Sequence, residues 1–191
     1  TGSGMITARK EGGTEVVITG DLSGYTGKFD ALSGNTIKLN TTLNDTVNLS
    51  HSGGSAGTVE LNGDGSGKTV TVNSTTDTST ALKVFMNWND VLVQANGNAE
   101  TKVYGTIFLG SNEGGASASD LEVRLSAMNL TGGSVGHIYL GGRGDTINDG
   151  DDADKNAIVL HVDSAYSTIY GAGENGTVNG DITINVTDKA C

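Results

Sequence analysis

Thr36-Ile37-Lys38-Leu39-Asn40 is the first of four copies of one five-residue phrase. The others are Thr46-Val47-Asn48-Leu49-Ser50, Thr58-Val59-Glu60-Leu61-Asn62 and Thr69-Val70-Thr71-Val72-Asn73. Each phrase reads Thr, apolar, polar, apolar, then Asn or Ser, and successive phrases begin 10, 12 and 11 residues apart. Apolar residues spaced by two point to one face of a β-strand. The region 35–73 therefore predicts very short strands, which bury a core only when they stack on one another.

A second, longer period runs through the C-terminal half. The pairs Ile107-Phe108, Ile138-Tyr139 and Ile169-Tyr170 recur 31 residues apart. Three steps of the short period, from Ile37 to Val70, cover almost the same length of chain. Both periods fit an all-β, parallel β-solenoid with about three short strands per coil of 31–33 residues. The alternative is a β-sandwich, which also has short strands about every 8–12 residues but does not require a fixed recurrence.

Composition limits the classes of partner. The chain has 191 residues, with 30 Gly, no Pro, a net charge of −11 and 11 scattered basic residues. Phosphate binding needs a basic face, so we expect no nucleic-acid partner. No apolar run approaches the length of a membrane span, so we expect no membrane insertion. The length suits one domain, 1–191, with little helix.

The chain termini carry their own expectations. Residues 1–13 are rich in Gly and polar residues, which predicts a loose N-terminal segment. The chain does not begin with Met, and 181–187 still shows the strand pattern, so we interpret the chain as a fragment or a processed form. The single cysteine, Cys191, excludes an internal disulfide but leaves open whether it is free or bonded to another chain.

Two stretches carry a family resemblance. Ser23-Gly-Tyr-Thr-Gly-Lys-Phe29, followed by Gly34-Asn-Thr-Ile-Lys-Leu39, resembles the repeats of bacterial autotransporter passengers. Gly132-Gly-Ser-Val-Gly-His-Ile-Tyr139 and the Gly-rich segment 169–184 are similar to repeats of bacterial surface solenoids. The resemblance implies a right-handed parallel β-helix (a β-solenoid) that is secreted or displayed at the cell surface. It carries no catalytic residue over to this chain.

An acidic loop after Tyr139 is the candidate metal site. The stretch that begins Gly141-Gly-Arg-Gly-Asp145 loosely resembles the Gly-Gly-x-Gly-x-Asp calcium repeats of parallel β-rolls. Calcium prefers several oxygen ligands on a flexible loop. The predicted calcium ligands are the five carboxylates of this loop: Asp145, Asp149, Asp151, Asp152 and Asp154. The alternative is a solvated acidic loop that keeps the surface soluble.

Other short motifs have weaker functional interpretations. Arg143-Gly144-Asp145 is an integrin-type tripeptide. Gly53-Gly-Ser-Ala-Gly57 matches the pattern of a nucleophile elbow, but no helix follows it and nothing in the sequence orients the nearby His51, so we interpret it as a turn. Phe108, Tyr139 and Tyr170 should form a ladder of rings about 5 Å apart if they lie one coil apart.

These patterns together predict a non-catalytic structural or adhesive scaffold of a secreted or cell-surface protein. One alternative is a subunit of a self-assembling extracellular filament, since a solenoid end exposes strand edges. Another is a β-helix module that binds or cleaves a polysaccharide. The expected partners are copies of the chain stacked end to end or flanking solenoid coils, with a host-surface or glycan ligand as a further candidate.

Overall fold

The computed structural model describes residues 1–51, 53–62, 68–74, 82–87, 90–96, 106–108, 115–116, 121–128, 135–140, 143, 145–148, 156–162, 166–171, 173–174, 177–179 and 181–186. These residues form eighteen short strands and no helix. The strands are β1 Met5–Ala8, β2 Thr14–Ile18, β3 Lys28–Ala31, β4 Asn35–Asn40, β5 Thr46–His51, β6 Thr58–Asn62, β7 Lys68–Ser74, β8 Lys83–Asn87, β9 Asp90–Asn96, β10 Thr106–Phe108, β11 Gly115–Ala116, β12 Leu121–Met128, β13 Val135–Tyr139, β14 Asp145–Asn148, β15 Asn156–Val162, β16 Tyr166–Tyr170, β17 Thr177–Asn179 and β18 Asp181–Val186. The predicted all-β class is confirmed.

The strands form three sheets, and every strand pairing that the structure describes is parallel. The first sheet has eight strands in the order β1-β3-β5-β7-β9-β12-β15-β18. The second has seven, β16-β13-β10-β8-β6-β4-β2, and the third has three, β11-β14-β17. The chain thus alternates between the two larger sheets and adds a strand to the third in its C-terminal half. Within the described ranges no helix could cross a membrane.

The offset between paired strands corrects the predicted repeat. Thr36 pairs with Thr58, and Thr46 pairs with Thr69, so each phrase lies beside the next phrase but one. Successive phrases therefore alternate between the two larger sheets, and two strands complete each repeat. The predicted coil of three strands is wrong for this half of the chain. The longer predicted interval is confirmed further on, where Ile107 pairs with Ile138 and Ile138 with Ile169.

The longer offset in the C-terminal half has a structural cause. Between β13 and β15 the chain also contributes β14 to the three-stranded sheet, and between β16 and β18 it contributes β17. A third strand and its connections require more residues than two strands do. The two sequence periods therefore reflect two kinds of repeat, and one coil length does not hold throughout the chain.

Apolar columns along both large sheets form the core. In the seven-stranded sheet Ile37, Val59 and Val84 pair in register, and each is fully buried. In the eight-stranded sheet Val47 and Val70 pair in register and are also buried. Parallel register puts identical positions of successive strands directly above one another, so each column excludes water along its length. The stretch 82–93 is the densest apolar segment of the sequence and predicts a central part of the core. Its residues Leu82, Val84 and Phe85 are fully buried, and Trp88 lies outside the described residues.

Strands β4 and β5 differ in how their faces are covered. In β5 buried and less buried residues alternate, as expected for a strand with one face in the core. In β4 three consecutive residues, Ile37 to Leu39, are buried, so both faces of this strand are covered. Lys38 and Glu60 therefore lie inside the molecule although they occupy the polar position of the phrase.

Asn side chains support the turns and strand ends. Asn35 is 2% exposed, and its amide nitrogen donates to the carbonyl oxygens of Leu32, Ser33 and Lys10 at 3.1, 3.0 and 3.3 Å. Its Oδ1 accepts from the backbone N–H of Lys10 at 3.0 Å, so this one amide joins two successive turns. At the other end of β4 and β6, the Asn62 amide donates to Oδ1 of Asn40 at 2.8 Å.

The ends of the sheets concentrate exposed apolar side chains. Among the residues that the structure describes, the exposed large hydrophobic residues are Met5 (52%), Val16 (37%), Val17 (48%), Tyr170 (40%) and Ile184 (43%). All five belong to β1, β2, β16 and β18, the edge strands of the two larger sheets. Strand β1 lies within the N-terminal segment 1–13 that was expected to be loose, and it pairs with β3.

Candidate functional site

A column of side chains along the seven-stranded sheet is the most distinctive feature of the molecule. The register places these residues in one line: Val17, Lys38, Glu60, Phe85, Phe108, Tyr139 and Tyr170. After Val17 at the sheet edge, the column has two charged residues, Lys38 and Glu60, and then four aromatic residues. All seven residues occupy the strand position that alternates with the aliphatic column of Ile37, Val59 and Val84.

The aromatic half of the column is a continuous stack of rings. The ring centroids of Phe85 and Phe108 are 4.3 Å apart, those of Phe108 and Tyr139 4.6 Å, and those of Tyr139 and Tyr170 4.5 Å. The interplanar angles are 8°, 8° and 10°. The predicted ladder of Phe108, Tyr139 and Tyr170 is therefore confirmed. Sequence reasoning missed Phe85, which lies closer to Phe108 along the chain than the recurrence of the Ile-aromatic pairs predicts.

Arg143 and Glu174 lie beside this ring column. The Arg143 guanidinium carbon is 5.3 Å from the Phe85 centroid and 5.8 Å from the Phe108 centroid, within range of a cation–π contact. Its Nε donates to Glu174 Oε2 at 3.2 Å, and Nη2 lies 3.2 Å from the same oxygen. A backbone bridge pairs Arg143 with Glu174. The first residue of the integrin-type tripeptide is thus held by the protein's own carboxylate and rings.

The Tyr139 hydroxyl, near the end of the column, has a raised pKa. Burial raises the pKa of Tyr139 above its ordinary value, and the neighbouring Tyr170 and Glu174 raise it further. A phenol with a raised pKa stays protonated at neutral pH. Tyr139 therefore presents a protonated hydroxyl at neutral pH.

The charged half of the column contains a buried ion-pair cluster. Lys38 Nζ lies 2.9 Å from Glu15 Oε2 and 3.9 Å from Glu60 Oε2. The side chains of Lys38 and Glu60 are 11% and 7% exposed, whereas that of Glu15 is 48% exposed. A buried carboxylate needs a nearby cation to offset its lost hydration. Lys38 supplies that charge to Glu60 and ties strands β2, β4 and β6 together.

A second buried polar pair joins β3 and β5. His51 Nδ1 lies 2.8 Å from Asp30 Oδ1, and the two side chains are 0% and 10% exposed. The other ring nitrogen, His51 Nε2, is buried and has no hydrogen-bond partner among the residues that the structure describes. Asp30 is the orienting carboxylate that the sequence did not reveal. The segment after His51 forms turns, with an isolated bridge between Ala56 and Leu32 and no helix in its described residues, so the interpretation of the Gly53–Gly57 pattern as a turn fits.

The predicted calcium ligands are mostly outside the described residues. Asp145 begins β14 and pairs with Gly115, while Asp149, Asp151, Asp152 and Asp154 are not among the residues described. Within the described ranges no group of three or more His, Cys, Asp or Glu side chains could hold a metal ion. The calcium site stays a prediction.

Comparison with known proteins gave no relatives. No family model, no curated protein and no solved structure matches this chain. The architecture and the side-chain geometry are therefore the basis for a functional proposal.

Proposed function

We propose that the chain is a right-handed parallel β-solenoid and serves as a non-catalytic structural or adhesive scaffold, outside the cell or at its surface. The observation that supports this best is the parallel register, which stacks Ile107, Ile138 and Ile169 in one column. An antiparallel β-sandwich, the alternative architecture, would not pair these strands in parallel. The extracellular location is proposed from the resemblance to autotransporter passengers.

The buried polar groups support a structural role. The Lys38–Glu60 and His51–Asp30 pairs have side chains that are at most 11% exposed, and each joins neighbouring strands of one sheet. Groups at this depth hold strands in register and present little surface to a substrate. The scaffold would thus be a stack of hydrogen-bonded strands fixed internally by rings and ion pairs, with its turns displayed outward.

The architecture can be tested by disulfide formation between stacked positions. Thr36 and Thr58 are half-buried register partners in the seven-stranded sheet, so replacing both by Cys in a Cys191→Ser chain should give a disulfide under mild oxidation. Paired strands lie about 4.8 Å apart, within the range that a disulfide bridges. The control is Thr36→Cys with Thr46→Cys, which lie in different sheets. Equal cross-linking in both variants would refute the stacked register.

The non-catalytic assignment has its own test. The purified chain should release no product from a panel of polysaccharides, peptides and esters. A turnover that disappears in Glu60→Gln or Asp30→Asn, while the fold persists by circular dichroism, would overturn it. The polysaccharide alternative gains little from the ring column, because neighbouring rings cover one another's faces at 4.3–4.6 Å.

A filament subunit is the second candidate. The exposed apolar residues of the edge strands favour it, because unpaired strand edges with apolar side chains recruit further strands. Sedimentation velocity over a wide concentration range, together with negative-stain microscopy, would show whether the chain assembles into filaments. Filaments that lengthen with concentration would support this candidate, and monomers throughout would exclude it.

A further inference from the structure

Tyr139 and Tyr170 are the two members of the ring column that carry a hydroxyl group. They are register partners on β13 and β16, their ring centroids are 4.5 Å apart, and their planes differ by only 10°. The rings before them in the column, Phe85 and Phe108, have no hydroxyl and are far harder to oxidise. The column therefore places two oxidisable rings directly against each other.

The hydroxyl groups of this pair are neighbours as well. Burial is the largest cause of the raised pKa of Tyr139, and a side-chain hydrogen bond with Tyr170 is a further cause. The two side chains are thus in contact through their polar ends and not only through their ring faces.

Solvent reaches both rings. Tyr170 is 40% exposed, and Tyr139, on a strand that is paired on both sides, is half-buried. Because Tyr139 is itself partly open to solvent, access to the pair does not depend on the exposure of Tyr170. A small oxidant can therefore take an electron from either ring.

The register also brings together the atoms that would bond. A tyrosine that has lost one electron carries part of its unpaired spin on the two Cε atoms, which flank the hydroxyl-bearing carbon. Paired strands lie about 4.8 Å apart, so equivalent Cε atoms of two stacked rings are separated by about the same distance. The χ2 torsion of a Tyr side chain is broad, so rotation about it can bring two Cε atoms into contact.

We propose that Tyr139 and Tyr170 are a modification site at which a peroxide oxidant joins the two rings into an intramolecular dityrosine. Each tyrosine loses one electron and its phenolic proton, and the two radicals form a bond between one Cε of Tyr139 and one Cε of Tyr170. The hydrogen on each bonded carbon then moves to the phenol oxygen as a proton. Hydrogen peroxide accepts the two electrons and the two protons and becomes two molecules of water. The product is lighter by two hydrogen atoms and links β13 to β16 covalently.

The other tyrosines that the structure describes have no phenol as a partner in the register or the ring contacts. Tyr25 meets Phe29, at 5.1 Å and with a 56° tilt. Tyr166 has Val135 as its register partner on the neighbouring strand. The expected product within one chain is therefore the link between Tyr139 and Tyr170, and it requires only the register and the ring stack.

Tryptic fragments identify the cross-link. Cleavage after Lys and Arg gives fragment 125–143, in which Tyr139 is the only tyrosine, and fragment 156–189, which contains Tyr166 and Tyr170. The dilute chain is treated with hydrogen peroxide and a haem peroxidase. We expect a monomer that is lighter by two hydrogen atoms, dityrosine fluorescence, and the two fragments joined through Tyr139 and Tyr170 in tandem mass spectrometry.

Conservative variants assign the bond. Tyr170→Phe keeps the stacked ring and removes its hydroxyl, so the chain should fold as before and the joined fragments should disappear. Tyr139→Phe should have the same effect. Tyr166→Phe is the matched control on the same strand and in the same tryptic fragment, and it should leave the cross-link unchanged. Circular dichroism before oxidation checks the fold of each variant, and the fragment map of the wild type tests the proposal even if a variant misfolds.

Three results would overturn the proposal. The first is joined fragments in Tyr170→Phe, or a wild-type cross-link that ends on Tyr166. The second is a monomer of unchanged mass while N-acetyltyrosine in a parallel sample is converted to dityrosine. The third is dimers as the sole cross-linked product, because the proposed bond lies within one chain.

Discussion

The ring column makes a quantitative prediction about stability. Phe108 is 1% exposed and stacks on two rings, Phe85 at 4.3 Å and Tyr139 at 4.6 Å. Phe85 is fully buried but stacks on only one ring, because its partner on the other side in the column is Glu60. The two residues therefore share the same depth and differ by one ring pair. Arg143 contacts both rings at similar distances, 5.3 and 5.8 Å, so it affects them alike.

Replacing each Phe by Leu keeps an apolar side chain and removes the stacking. A stacked aromatic pair contributes about 0.5–1.5 kcal/mol beyond its buried area. Phe108→Leu should lower the free energy of unfolding by about 1–3 kcal/mol from stacking, and Phe85→Leu by about half as much. Urea denaturation followed by far-UV circular dichroism measures both, and we expect Phe108→Leu to be the less stable by about 1 kcal/mol.

A third variant controls for the loss of any buried ring. Phe29 is 2% exposed and makes one tilted contact with Tyr25, at 5.1 Å and 56°, outside the column. Phe29→Leu should resemble Phe85→Leu. In a chain that already carries Tyr139→Leu, Phe108→Leu should cost about 1 kcal/mol less than in the wild type. If Phe85→Leu destabilises the protein as much as Phe108→Leu does, stacking along the column is not what stabilises it.

Three other substitutions test the buried polar groups and one close backbone approach. Lys38→Met should lower the free energy of unfolding, measured by urea denaturation, by about 3 kcal/mol, because it removes the ammonium beside the buried Glu60 carboxylate. Adding Glu60→Leu should recover most of that loss. Asp30→Ala should lower the free energy of unfolding, measured by thermal unfolding, by about 1–3 kcal/mol, because it removes the carboxylate that is hydrogen-bonded to the buried His51 ring. Gly57→Ala should lower the free energy of unfolding in the same assay by about 1–3 kcal/mol or more, because a Cβ at this position would collide with backbone carbonyl oxygens.

Asp30→Ala and Gly57→Ala each have a matched control on the same chain. The Asp45 side chain is 96% exposed, so Asp45→Ala should change the free energy of unfolding by no more than about 0.5 kcal/mol. No heavy atom lies within 4 Å of a Cβ built on Gly20, so Gly20→Ala should be tolerated. If either control loses as much stability as the variant it matches, the proposed contact is not the cause of the destabilisation. Failure of Glu60→Leu to rescue Lys38→Met would reject the burial argument.

The outcome for the repeat shows how far local patterns reach. Alternation of apolar and polar residues predicted strands at all four phrases, and the structure places β4, β5, β6 and β7 there. The constant spacing of the Ile-aromatic pairs predicted the stacking of Ile107, Ile138 and Ile169, which the register confirms. Both successes rest on properties that a short segment or a fixed offset carries by itself, because side-chain direction in a strand follows from its backbone.

The candidate site depended on contacts that no local pattern encodes. The phrase marked Lys38 as an outward polar residue, yet the structure buries it between Glu15 and Glu60 because both faces of strand β4 are covered. Arg143 was interpreted as part of an integrin-type tripeptide, and the structure directs its side chain to Glu174, 31 residues further along the chain. Burial and pairing of this kind depend on which segments come to lie alongside a strand.

The sequence alone determined that this chain is made of short strands whose apolar residues face one way, since a period of two is a property of the extended backbone. For the four phrases, only the tertiary structure decided which strand lies above which. That choice depends on how many residues each connection uses and on whether a third strand is inserted between two others. In one half of the molecule a phrase therefore stacks on the next phrase but one, as Ile37 does on Val59. In the other half each Ile-aromatic pair stacks directly on the next pair, as Ile107 does on Ile138.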